Sequence, residues 1–121
     1  MHRLRAVLVA TPLLLGPTGA AFAHAHLKTA EPPVDGAVTS APDKIAINLT
    51  EGVEPKFSSV EVQDGQGQRV DQGVAHTAPG DGKRLMIDVK PLPAGTYKVI
   101  WHATAVDTHK TDGAYQFTVK P

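Results

Sequence analysis

The chain has 121 residues and a mass of 12.8 kDa, enough for one domain with a modest core, and its 41% hydrophobic and 20% charged residues exclude both a collagen-like and a highly charged disordered polymer. Twelve Lys and Arg stand against twelve Asp and Glu, so no field of one sign exists to hold nucleic acid or another polyanion. The absence of Cys removes disulfides, thiolate metal sites and cysteine nucleophiles together, and any metal must be held by nitrogen, oxygen or thioether donors.

Taken in chain order, the first residues predict an export signal. Arg3 and Arg5 charge the start, Ala6 to Leu15 is apolar apart from Thr11 and Pro12, and Ala21-Phe22-Ala23 has the small-x-small form of a signal-peptidase site. The apolar run is about half of what spans a bilayer, and Gly16, Pro17 and Gly19 interrupt it, so cleavage after Ala23 is expected rather than a retained anchor. Residues 1–23 are then the signal peptide, and residues 24–121 form the mature domain, which is not itself membrane-spanning. Strand pairing is expected to begin near Leu27. Lys44 to Leu49 alternates, with Ile45, Ile47 and Leu49 on one face. Ser59 to Val62 reads as a strand before an Asp64-Gly65 turn, Leu85 to Val89 alternates again, and Tyr97, Val99, Trp101 and Ala103 alternate with Lys98, Ile100, His102 and Thr104. A last strand is expected near Ala114 to Val119. Between these lie Glu31-Pro32-Pro33, Asp35-Gly36, Gln63 to Gly67, Pro79 to Gly82 and Pro91 to Gly95, which are turn chemistry, and no stretch sustains a helical period. Six or seven short strands around Phe57, Trp101, Tyr115 and Phe117 predict an all-β, Ig-like sandwich or Greek-key barrel, one domain and a monomer.

Processing would leave five histidines: His24, His26, His76, His102 and His109. In Asp107-Thr108-His109, alternation along an extended segment would put carboxylate and imidazole on one side, within reach of one ion, whereas the competing reading of the triplet is a polar turn. Cleavage after Ala23 would also create a free α-amine on His24. Such an amine has an ordinary pKa near 8, so it yields its proton to a metal readily and chelates together with the imidazole of its own residue. Amine, imidazoles and carboxylate make a tetragonal N,O set, which Cu(II) prefers, while Zn(II) favours a tetrahedral one. His24-Ala25-His26 is a second candidate, because an amine, two ionised amides and the imidazole of a third-position His can hold Cu(II) in one plane without any fold. His102 is expected to face solvent opposite Trp101, His76 to lie in a polar loop, Met86 to pack from a strand, and Trp101 to anchor the core.

In chain order stand His24-Ala25-His26-Leu27-Lys28, the turn Pro32 to Gly36, Ala41-Pro42 before Lys44 to Leu49, Thr50-Glu51, Pro93 to Trp101, Asp107-Thr108-His109, Gly113 and Phe117. Together these stretches resemble the CopC family of periplasmic copper-binding proteins. The resemblance implies a Greek-key β-barrel, a periplasmic location, and a Cu(II) site made of His24 with its amine, Asp107 and His109, with Glu51 beside these ligands or as a weak axial contact. It also implies a role in copper buffering, transfer or resistance, with copper passed to an inner-membrane transporter of the CopD type. The chain departs from the pattern of many relatives in three places. Val60 to Ala78 contains no Met, the only Met after residue 23 is Met86, and His102 and Ala105 stand where Arg and Ser are common. One thioether without partners does not build a Cu(I) site, so a Cu(II)-only member is expected. Two other classes remain open at this point: a copper-dependent oxidative enzyme built on the N-terminal His, and a plain adhesion or assembly domain without metal. A coordinating Asp107 and a surface poor in aromatic residues weigh against the enzyme.

Overall fold

The computed structural model describes residues 9–10 and 25–121. Apart from Val9 and Ala10, the expected signal peptide lies outside the described residues, as do its cleavage site and His24. From Leu27 the chain forms eight strands: β1 (Leu27–Glu31), β2 (Ala37–Val38), β3 (Lys44–Leu49), β4 (Ser59–Gln63), β5 (Asp71–Ala78), β6 (Asp81–Val89), β7 (Gly95–Thr104) and β8 (Lys110–Val119). They make two four-stranded sheets in the orders β1-β3-β6-β5 and β2-β8-β7-β4, antiparallel except for the short parallel pairing of β2 with β8. The all-β sandwich expected from turn spacing is the observed architecture. Among the described residues no helix is long and apolar enough to cross a membrane.

The period of two places the core. Ile45, Ile47 and Leu49 of β3, Leu85 and Ile87 of β6, Val60 and Val62 of β4, Tyr97, Val99, Trp101 and Ala103 of β7, and Tyr115, Phe117 and Val119 of β8 are all buried in one cluster between the sheets. Ala46 on the other face of β3 is buried as well, between its cross-strand neighbours Glu31 and Met86. Tyr97 stacks on Phe117 with centroids 5.4 Å apart, and its hydroxyl donates to Pro93 O. Burial pushes the Tyr115 phenol well above its ordinary pKa. At the open edge of β4 the chain protects itself: Val70 N–H donates to Val62 O at 2.8 Å and Val62 N–H to Asp71 Oδ1 at 2.9 Å. Burial raises the Asp71 carboxyl, but the Arg69 hydrogen bond, the Val62 N–H and the Arg69 charge outweigh it and hold the group below the usual carboxylate range.

Trp101 requires a glycine opposite it. Gly113 is its partner on β8, and a Cβ there would stand 2.7 to 2.9 Å from Cζ2, Cε2 and Nε1 of the indole. Gly113→Ala therefore forces a packed, buried ring to move, and the expected loss is about 1–3 kcal/mol, read from the denaturation midpoint. An unchanged midpoint would show that the ring has room to yield.

Four expectations are corrected. Phe57 is not in the core: Pro55–Phe57 forms a 3₁₀ turn that breaks the alternation ahead of β4, and the ring is 71% exposed while Tyr97 occupies the interior. His76 lies in β5, not in a loop, because the chain continues extended past a bulge after Gln72, with Gly73 at φ 76°. The Pro79 to Gly82 turn is shorter, since Asp81 already opens β6. The last strand starts four residues before Ala114, at Lys110, because β8 pairs with β7 along its whole length.

Candidate metal centre

The β7–β8 hairpin ends in a tight connection that carries the D-x-H triplet. Thr108 N–H donates to Ala105 O at 2.8 Å, and Ala105 N–H to His109 O at 2.9 Å. The triplet is thus the polar turn and not the extended segment: Thr108 has φ 77°, a left-handed conformation that a β-branched residue adopts only under constraint. The turn nevertheless brings the two side chains together. Asp107 Oδ1 accepts the His109 backbone N–H at 3.1 Å, and Asp107 Oδ2 lies 3.1 Å from His109 Nδ1. A carboxylate against one ring nitrogen sets the tautomer and orientation of the imidazole and makes the other nitrogen a better donor to a metal. Both side chains are partly open to solvent, with 38% exposure for Asp107 and 56% for His109, so an ion can enter and leave without the core opening.

Two other segments meet this pole of the sandwich. The stretch after β3 runs beside the hairpin end, with Val106 N–H donating to Gly52 O at 3.1 Å and Glu54 N–H to Thr104 O at 2.9 Å. This places Glu51 at the pole, half-buried. The chain ahead of β1 arrives here too. Thr111 Oγ1 donates to Ala25 O at 2.6 Å, His26 N–H donates to Thr50 Oγ1 at 2.9 Å, and Thr50 N–H donates back to His26 O at 2.9 Å. Ala25 is fully buried and belongs to the core cluster.

Asp107 and His109 are therefore the pair of predicted ligands that the structure brings together. Among the described residues no set of three His, Asp or Glu side chains is close enough to hold an ion, so Glu51 does not complete a triad with them. His102 is on the outer face of its sheet opposite Ser59 and Asp112, two residues before the end of β7, and His76 is exposed on β5. Met86 packs within β6. Thr50 and Thr111 have roles that the sequence does not announce: their partners are 24 and 86 residues away, and no periodic signal marks such contacts.

Residues 27–120 match the family model described as the CopC domain. The chain belongs to the CopC family. The copper resistance protein C of Escherichia coli is 38% identical over 127 aligned residues, covering 99% of this chain and all of that one. The copper resistance protein C of Xanthomonas campestris pv. juglandis is 37% identical, covering 94% and 91%. Among solved structures, the CopC from Methylosinus trichosporium OB3b superposes with a TM-score of 0.76 at 31% identity, over 81% of this chain and 95% of that one. PcoC from Escherichia coli, described as a methionine-rich copper resistance protein, gives 0.68 at 42% identity over 81% and 100%. This CopC-family chain differs from the methionine-rich description, since it has two Met, Met1 and Met86.

Proposed function

We propose that this chain is exported, cut after Ala23, and works in the periplasm as a non-catalytic Cu(II) protein that buffers copper or passes it on. Its ligands are the amine and imidazole of His24 with Asp107 and His109. The supporting observation is the pairing of Asp107 with His109 at the pole where Ala25 is tied to Thr111, two residues beyond His109. Amine, two imidazoles and a carboxylate suit Cu(II). The single Met after residue 23, within a strand, supports a member without a Cu(I) site. Family membership supports copper as the cargo and an inner-membrane transporter of the CopD type as the receiver.

The test is metal analysis of protein purified from the periplasm with its N-terminus sequenced. One Cu(II) per chain starting at His24 is expected, with no tight Cu(I) in competition with a Cu(I) chelator. A chain that retains residues 1–23, or that binds Cu(I) one-to-one more tightly than Cu(II), would overturn this reading.

A further inference from the structure

Two coordination modes compete for the same amine, and the backbone at residues 25 and 26 decides between them. In the four-nitrogen mode the copper sits on the amine, the ionised amides of Ala25 and His26, and the His26 imidazole. That mode needs the His26 amide proton removed and its nitrogen turned onto the metal. In the folded protein this N–H already points at Thr50 Oγ1, 2.9 Å away, so an ion on the nitrogen would take up the direction that the hydroxyl occupies. That peptide is held at its carbonyl too, and the next one is held at His26 O. Thr111 Oγ1 donates to Ala25 O at 2.6 Å, and Thr50 N–H donates to His26 O at 2.9 Å. Wrapping the tail around copper would break these contacts, draw the fully buried Ala25 out of the core and pull on the β1–β3 ladder that starts at Leu27 and Leu49.

We propose that Thr50 and Thr111 form a hydroxyl clamp that disfavours the four-nitrogen mode and so selects the side-chain site while Asp107 and His109 are present, making them specificity-determining positioning residues for the metal. The inference rests on the proposed use of Asp107 and His109. Neither threonine touches the ion. Their effect is to keep the Ala25–His26 peptide in its hydrogen bonds, His26 N–H on Thr50 Oγ1 and Ala25 O on Thr111 Oγ1, so that only groups already deprotonated or easily deprotonated at neutral pH are offered to copper. The tripeptide mode exchanges Cu(II) slowly because two amides must be reprotonated, and the clamp therefore also keeps the cargo exchangeable.

The mature protein beginning at His24, loaded with one equivalent of Cu(II), is examined by EPR and visible absorption as wild type, Thr50→Val, Thr50→Ser and Thr50→Val with Thr111→Val. Thr50 is exposed and valine keeps its volume and its backbone N–H, so the single variant is expected to fold even if the double one does not. Each lost hydroxyl bond is expected to move the ratio of four-nitrogen to side-chain copper about fivefold, and both together roughly 25-fold. Thr50→Ser should behave as wild type, and adding His26→Ala to the double variant should return its spectrum to the wild-type form. A wild-type spectrum in both Val variants would overturn the clamp while leaving the Asp107 and His109 site standing. A four-nitrogen spectrum in the wild-type protein would overturn that site itself.

Discussion

One extra residue ahead of His24 is expected to weaken copper binding by at least about 100-fold, and the full chain from Met1 should show the same loss. In the processed protein the α-amine is a neutral donor at a cost of roughly one pH unit of deprotonation. Acylation turns the same nitrogen into an amide, whose lone pair is delocalised and whose proton leaves only under a strong metal pull, and the six-membered chelate with the His24 imidazole disappears with it. The measurement is a competition titration with a Cu(II) chelator on three proteins that start at Met1, at Ala23 and at His24. Only the last should bind tightly, and equal affinities would remove the terminus from the ligand set.

The second large effect concerns the hairpin. Asp107→Ala with His109→Ala is expected to lower Cu(II) affinity by at least about two orders of magnitude, since even the hydrogen-bond partners of metal ligands are worth about tenfold to 100-fold each. The remaining copper should turn to a four-nitrogen EPR signature as the tail takes over. His26→Ala should change neither affinity nor spectrum, because the substitution leaves the two backbone hydrogen bonds between His26 and Thr50 in place. The substitutions lie in a solvent-exposed turn outside the core cluster, so the melting point of the apo protein serves as the control for folding. Loss of binding in His26→Ala with retention in the double variant would transfer the site to the tripeptide.

Strands with one wet and one dry face were legible. β6 and β7 alternate cleanly, their inward residues being the ones buried, and β3 does so except at Ala46, which is buried on the outer face. β5 escaped because it is an edge strand with little burial on either face and a bulge after Gln72, so no period survives in its sequence. β2 is two residues long and exists through pairing with the distant β8, which local pattern does not report. Phe57 misled because hydrophobicity was taken as burial, while Pro55 had already set a 3₁₀ turn that points the ring outward. The Asp107 and His109 pair was legible as chemistry but for another geometric reason: a turn closed by two backbone hydrogen bonds, not strand alternation, brings the groups to 3.1 Å. The threonine contacts on Ala25 and His26 had no signature, since a side chain bonding a backbone group far along the chain depends on the finished sandwich.

The direction of β8 also decides how the molecule can be tethered. It leaves the pole at Lys110 and runs ten residues to Val119, and at about 3.4 Å per residue its far end is roughly 30 Å away. Pro121 is exposed at that opposite end, whereas Ala25 is locked at the near one. The points where the chain enters the sandwich, at Ala25, and leaves it, after Val119, are therefore unequal as handles. A linker, surface attachment or fused domain at Pro121 leaves the Asp107 and His109 pole facing outward and unobstructed, with the whole length of the sandwich as a spacer. The same attachment at the front would have to pass through the pole itself.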